Sequence, residues 1–441
     1  MKNRFRSLAA ALACLLLVSC ASDDAKTPDA AAEEPFVFPE ETGTLVLYSE
    51  KTNHKRMQQA INLFGELYPD VKIDLQVLDQ DAFYNRLRTE IPAGTGPDVI
   101  WETSTYLPDV YKTMAAGVFT DLNPYFLNDE TFSFGDYVEG VLDGVLIQGK
   151  RYIVPLDYEY YSIISSEEAL AEFGIDREQL TTYEGFLDTC LTVKQNDPNV
   201  LLQSDLNFSL YLNSFITYAN IRFYDPETNE LDVNRDQIKL LADVAKLSYA
   251  CDGEDQYSYY NPDGSERPRF MWVSNRADDV PGLAFVELFY GRMPVVLPYP
   301  TASGKRAANV MIYCAVPIGA ENKLNAYRFV KVLLSEEYQG AIANGKAPDL
   351  LCATPVRRES VKEMMARRAR LNDPTNKYAD FWEEANEEYY WQTTDIEEVG
   401  IIRTYVYNSA KGLLKSYATG LIDFDKMYDK LINVLTLYRD E

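Results

Sequence analysis

The sequence predicts an α/β protein of more than one domain, on three observations. The chain has 441 residues, longer than a single hydrophobic core usually serves. Its composition is that of a folded protein, 46% apolar and 25% charged. From residue 44 onward, short apolar runs alternate with segments of helical period, the pattern of a largely parallel sheet with helical crossovers.

The first run, "TLVLYS", is continuously apolar, as a strand buried on both faces must be. Met57, Ala60, Ile61, Phe64 and Tyr68 then recur at helical spacing, and Pro69 stops that helix. "VKIDLQV" alternates as a strand, and "DAFYNRLRTEI" returns to helix with Asp81 as its expected cap. "GTGPDVIWETS" follows as a glycine-rich turn, a short strand Val99-Ile100, and then Trp101 and Glu102 at the strand's end. In a parallel sheet, ligands sit beyond the carboxyl ends of strands. That position makes Trp101 and Glu102 candidates for a pocket floor, and Glu50 ends the first strand in the same way.

"GKRYIVPLDYEYYSIISS" reads as a strand, a proline break and an aromatic cluster around Glu159. Residues 166–290 read as mainly helical, as in "LNFSLYLNSFITYA" and "DQIKLLADVAKLSYA". "MPVVLPYP" and "NVMIYCAVP" are strands again, joined by the basic loop "TASGKRAA". "NKLNAYRFVKVLLS" places Leu324, Tyr327, Val330 and Leu334 on one helical side. The last hundred residues read as helices ending in "DFDKMYDKLINVL", and no internal repeat is present.

The N-terminus has the form of a targeting segment. Lys2, Arg4 and Arg6 precede "LAAALACLLLVS", a run too short to span a bilayer stably. It ends in "LVSC", which resembles a bacterial lipobox, so residues 1–19 are expected to be a lipoprotein signal peptide and Cys20 the lipidated residue. Residues 20–43 are rich in Ala, Asp, Glu and Pro, the composition of a flexible acidic tether. The expected location is extracytoplasmic, anchored to the bacterial membrane through Cys20.

A net charge of −26 argues against a nucleic-acid partner, which would require clustered Lys and Arg. His54 is the one histidine, which excludes a multi-histidine metal site and a histidine-dependent triad on a single chain. Cys190, Cys251, Cys314 and Cys352 form no C-x-x-C pair, so neither a zinc nor a redox motif is present. Export permits disulfides, and the spacing does not choose between them and buried thiols.

The ordered motifs resemble those of the extracellular solute-binding proteins of ABC importers, in particular the family that includes maltose- and other oligosaccharide-binding proteins. "INLFGELYPDVKIDLQV", "IPAGTGPDVIW", "MAAGVFTDLNPYF", "GKRYIVP", "VVLPYP" and "NAYRFVKVLLSEEYQ" carry the resemblance in that order across most of residues 44–441. It implies a two-lobed, periplasmic-binding-protein-like fold with hinge crossings and an interlobe cleft. Lobe 1 would comprise 44–156 plus 298–355, and lobe 2 157–297 plus 356–441. The chain departs from the family at "IISSEE", where Ser165 and Ser166 replace a frequent asparagine, and at "DDVPGLAFVELFYGR", which replaces a glycine-rich stretch.

Sugars are held by aromatic faces against their C–H surfaces and by planar polar groups at their hydroxyls. The expected ligand-binding residues are Glu50, Lys51, Trp101, Glu102, Tyr158, Glu159, Tyr160, Trp272, Tyr299 and Trp391. Glu159 stands where the family has a ligand-contacting acid, and strand alternation turns Tyr158 and Tyr160 away from it. The resemblance implies a monomer that binds a small-molecule solute, a carbohydrate in the first instance, and hands it to ABC permease subunits without catalysis, metal or cofactor. Paired tyrosines keep ferric iron open as a ligand, and acids among aromatics keep a polyamine open. A sensor partner in place of a permease is the other reading. Glu102 and Glu159 as a glycosidase pair carry little weight in a chain of 68 carboxylates.

Overall fold

The computed structural model describes residues 36–39, 43–51, 54–103, 109–203, 212, 214–225, 227–253, 260, 261, 263–274, 294–344, 354–372, 375, 379–401 and 404–440. Residues 39–441 form one compact unit. Of the preceding unit, Phe36–Phe38 are described, with the Phe36 and Phe38 rings edge-on at 5.2 Å. Cys20 and the acidic segment before Phe36 lie outside the described residues.

The described strands are β1 (Leu45–Glu50), β2 (Ile73–Leu78), β3 (Ile100–Thr103), β4 (Val154–Tyr160), β5 (Ser162–Ser166), β6 (Leu201–Gln203), β7 (Arg269–Ser274), β8 (Pro294–Pro298), β9 (Ala307–Ala315), β10 (Thr354–Pro355) and β11 (Glu398–Ile401). The longer described helices are α1 (His54–Leu67), α2 (Gln80–Glu90), α3 (Tyr183–Asn196), α4 (Arg235–Asp252), α5 (Lys323–Leu333), α6 (Glu336–Ala343), α7 (Arg358–Asn372), α8 (Ala379–Thr394), α9 (Thr404–Ala418) and α10 (Phe424–Asp440).

These strands make two layers of sheet, one per lobe. In the first, β1 pairs in parallel with β2, and Leu47 bridges in parallel to Val99 at the entrance to β3. β9 runs antiparallel to β3 on one edge, from Ile100 opposite Ala315 to Thr103 opposite Ile312. On its other edge β9 runs antiparallel to β4, with Tyr160 opposite Ala308. β11 pairs in parallel with the first half of β9, and β10 pairs with β4. The second sheet has the order β6-β7-β5-β8.

The two sheets share chain. β4 passes into β5 through the single residue Tyr161, and β8 returns into β9 through residues 299–306. The passes lie side by side, because Tyr299 N–H donates to the Tyr161 carbonyl at 3.0 Å. This is the hinge geometry of a two-lobed fold: adjacent extended segments on which one lobe rotates against the other.

Each lobe has its own core. Beneath the first sheet, Phe64 of α1 packs on Phe329 of α5 at 5.5 Å between ring centres, and Leu45 and Leu47 of β1 are fully buried. In the second lobe Tyr183, Phe186, Phe215, Leu241, Leu414 and Leu435 join one cluster. Local chemistry sets the helix ends. Thr182 accepts from Gly185 N–H before α3, Asn234 accepts from Asp236 and Gln237 N–H before α4, and α4 stops at Gly253, whose φ of +71° suits glycine.

Several sequence expectations are corrected. Asp81 does not cap α2; Asp79 holds the N-cap position without a side-chain bond, and Asp81 lies in the first turn, where its charge favours the helix dipole. The described part of residues 166–290 is less helical than expected, because "LLQ" and "RFMWVS" pair in parallel as β6 and β7, with Leu201 opposite Arg269, a non-local contact that periodicity does not register. Described residues 214–218 of "LNFSLYLNSFITYA" form a single wide helical turn. The C-terminal helices are interrupted by β10 and β11. The loop residue Arg306 is tied down by Asp395 at 2.6 Å. Cys190, Cys251 and Cys314 are free thiols, and Cys352 lies outside the described residues. Burial pushes the Cys190 and Cys314 thiols far up, which keeps them protonated and unreactive.

Candidate ligand site

β1, β3 and β4 run in the same direction, since β3 and β4 are both antiparallel to β9 and β1 is parallel to the segment entering β3. Their carboxyl ends therefore share one edge of the first sheet, and β4 leaves that edge directly into the second sheet. Glu50 and Lys51, Trp101 and Glu102, and Glu159 and Tyr160 all fall along it. A sheet edge of this kind, facing a second lobe, is where open α/β folds bind ligands.

The turn "GTGPD" earns its residues by structural work. Asp98 is 3% exposed and accepts Val46 N–H at 2.8 Å through one oxygen. Its other oxygen accepts Glu321 N–H at 3.0 Å and Asn322 N–H at 3.1 Å, immediately before α5. One carboxylate thus fastens β1 to the start of a helix more than two hundred residues away, and sets the position from which β3 departs.

Trp101 is 7% exposed and meets Tyr338 of α6 edge-on at 5.8 Å. Glu102 pairs through its backbone with Tyr313; its side chain lies outside the described residues. Glu50 is buried. Lys51 is exposed and binds Asp79 at 2.5 Å.

Around Glu159 the side chains converge. Glu159 is half-buried and stands opposite Asn309 in the β4–β9 register. Two residues on, and therefore on the same side of the extended chain, the Tyr161 hydroxyl donates to Glu159 Oε2. Tyr161 is 3% exposed, and its ring stacks on Tyr218 with centres 3.8 Å apart and planes 19° apart. Tyr299 closes the group, edge-on to Tyr218 at 5.8 Å and against Phe186 at 5.3 Å. Burial, followed by the Glu159 charge, holds the Tyr161 phenol well above its ordinary range, so it stays a neutral donor. Asn309 Nδ2 donates to the Thr217 carbonyl at 3.1 Å. Gly400 completes the packing, since a Cβ there would lie 2.3 Å from Asn220 Oδ1 and 2.5 Å from Asn309 Oδ1.

A second carboxylate lies two residues earlier on β4. Asp157 is fully buried beside a β-bulge and accepts Ile312 N–H at 2.8 Å. Burial pushes its pKa up to about 7, against the opposing pull of that N–H and of Arg56, and Glu159 adds to the rise.

Tyr158 and Tyr160 turn to the other face of β4. The Tyr158 hydroxyl donates to the Thr393 carbonyl at 2.7 Å, and Tyr160 meets Tyr389 at 6.2 Å, both on α8. Trp391 lies on the same helix, 60% exposed, and is not brought to the Glu159 side of the strand. Trp272 is in β7, its backbone opposite Ile164; its side chain lies outside the described residues. A cavity of about 260 Å³ borders Asn220, Arg222 and Glu398. These three already bind one another, with Asn220 Nδ2 donating to Glu398 Oε1 at 2.5 Å and Arg222 Nε lying 3.3 Å from the same oxygen.

Tyr218, Asn309 and Thr217 were not among the sequence candidates, and Tyr161 entered only as half of a tyrosine pair considered for ferric iron. Tyr161 had a readable signal, its i+2 relation to Glu159 in an extended strand. The other three come from distant segments. Among the described residues no group of three or more His, Cys, Asp or Glu is placed to hold a metal, and no helix is long and apolar enough to cross a membrane.

Comparison with known proteins accords with this architecture. The sequence pattern of the family described as bacterial extracellular solute-binding protein matches residues 49–340. The sugar-binding protein MalE of Xanthomonas citri superimposes with a TM-score of 0.60 at 15% identity, over 90% of this chain and 98% of that one. A sugar transporter of Rhizobium etli in an open conformation gives 0.57 at 14% identity, over 90% and 99%. An ABC substrate-binding protein of Listeria monocytogenes, solved with cycloalternan, gives 0.53 at 12% identity, over 90% and 98%. At these identities the likeness shows the fold, and the family match extends over more than half of the chain. The chain belongs to the family of bacterial extracellular solute-binding proteins.

Proposed function

We propose that this protein is the solute receptor of an ABC importer, and that its solute is a carbohydrate. The two lobes close on the solute, and the closed form is what the permease subunits recognise. Closure needs a solute that contacts both lobes, since only differential contact shifts the open–closed equilibrium. Lipidated Cys20 and the acidic segment after it hold the receptor at the outer face of the membrane. The protein binds and releases its solute unchanged.

The observation that carries the reading is the convergence on Glu159. A half-buried carboxylate sits at the carboxyl edge of three parallel strands, where the chain crosses between lobes. A carboxylate there accepts sugar hydroxyls, and neighbouring aromatic rings supply the apolar surface. The sugar-binding relatives named above support the solute class.

Thermal unfolding of the full chain with maltotriose, cellotriose, xylotriose, spermidine or ferric citrate tests the reading. A solute at one hundred times its dissociation constant adds about 2.7 kcal/mol of stability. A shift with a trisaccharide, reduced in Glu159→Gln, is the expected result. A shift with spermidine or ferric citrate alone would overturn the solute class.

A further inference from the structure

We propose that Tyr161 is a positioning residue for solute binding: its hydroxyl, held in the core of the second lobe, fixes the carboxylate of Glu159 across the crossing between the sheets. The inference rests on the reading of Glu159 as a solute contact, and adds what decides where that carboxylate stands.

Glu159 belongs to the first sheet by its backbone, paired opposite Asn309. Tyr161 belongs to the second lobe by its ring, which is buried in that core and stacked on Tyr218. The hydrogen bond from Tyr161 to Glu159 therefore spans the one-residue link between β4 and β5. A second tie runs beside it, from Asn309 of the first sheet to the Thr217 carbonyl, next to Tyr218. The Tyr161 ring cannot swing without breaking a 3.8 Å stack, so its hydroxyl is a fixed donor. An ionised carboxylate accepts about four hydrogen bonds, so one phenolic donor sets its orientation and leaves capacity for solute hydroxyls. Losing that donor removes one constraint on the carboxylate, and binding must then supply more of the cost of ordering it.

Tyr161→Phe keeps the ring and its stack and removes the donor alone. Isothermal titration of the full-length wild type, Tyr161→Phe, Glu159→Gln and the double variant with maltotriose, cellotriose and xylotriose reads the effect. Tyr161→Phe should weaken binding of the recognised trisaccharide about tenfold, the effect of losing one hydrogen bond to a charged group. In the Glu159→Gln background the same substitution should change affinity less than twofold, because its effect is transmitted through the carboxylate. Melting temperatures of the four free proteins show that the fold is kept. Unchanged affinity in Tyr161→Phe, or an equal loss in both backgrounds, would overturn the positioning role while leaving the solute reading intact. A wild type that binds none of the three trisaccharides would overturn both.

Discussion

Replacing Asp98 by alanine should be among the most damaging single changes to the first lobe. The side chain is buried and accepts three backbone N–H groups, Val46 at 2.8 Å, Glu321 at 3.0 Å and Asn322 at 3.1 Å. A hydrogen bond to a charged acceptor contributes about 1.5–3 kcal/mol, and a buried donor left unmade costs roughly 1–3 kcal/mol. Water reaching the freed helix end would recover part of that. The expected loss for Asp98→Ala is roughly 3–4 kcal/mol, and for Asp98→Asn, which retains one acceptor oxygen, about half as much. Urea unfolding followed by far-ultraviolet circular dichroism gives both values from the midpoint and slope. A loss below about 1 kcal/mol for Asp98→Ala at unchanged slope would refute the staple, since it would mean that the three donors find equal partners without the carboxylate.

Further expectations follow from the buried charges. With its pKa raised to about 7, Asp157 binds a proton in the folded state at pH values where the unfolded chain has released it. Its contribution to stability is full below about pH 4 and lost as pH rises toward 7. The melting temperature of the wild type should therefore fall relative to Asp157→Asn between pH 4 and 7, and parallel curves would count against the assignment. In the second lobe, Lys194 and Arg267 both donate to Asp252 Oδ1, at 2.9 and 2.6 Å, with all three side chains buried. Asp252→Ala leaves two cations without their anion and should cost about 3–5 kcal/mol. Lys194→Met leaves the Arg267–Asp252 pair in place and should cost less. Denaturant midpoints that reverse this order would show that Asp252 is not the anchor.

By itself, the sequence determined the fold class and the strands nearest the first sheet's carboxyl edge. "TLVLYS" is apolar through its centre because β1 is covered on both faces, whereas the burial of β2 departs from the alternation of "VKIDLQV", with Val77 exposed and Gln76 half-buried. It also singled out Glu159, as the acid within an aromatic cluster and at the place where the resembled family has a ligand-contacting acid. The strands β6 and β7 were hidden, because their pairing joins distant segments, Leu201 with Arg269 and Gln203 with Met271, and leaves little periodic trace over the three residues of β6. Only the tertiary structure decided what Asp98 does and what surrounds Glu159. Asp98 reads as part of a turn until Val46 and Asn322 are brought against it. Asn309, Thr217 and Tyr218 meet the Glu159–Tyr161 pair from segments far away in sequence. Periodicity records which face of an element is buried; the partner it is buried against is chosen by non-local packing. Trp101 and Trp391 share a side chain, yet one fills a gap beside Tyr338 and the other stands in solvent, because the helix or strand behind each ring decides its surroundings.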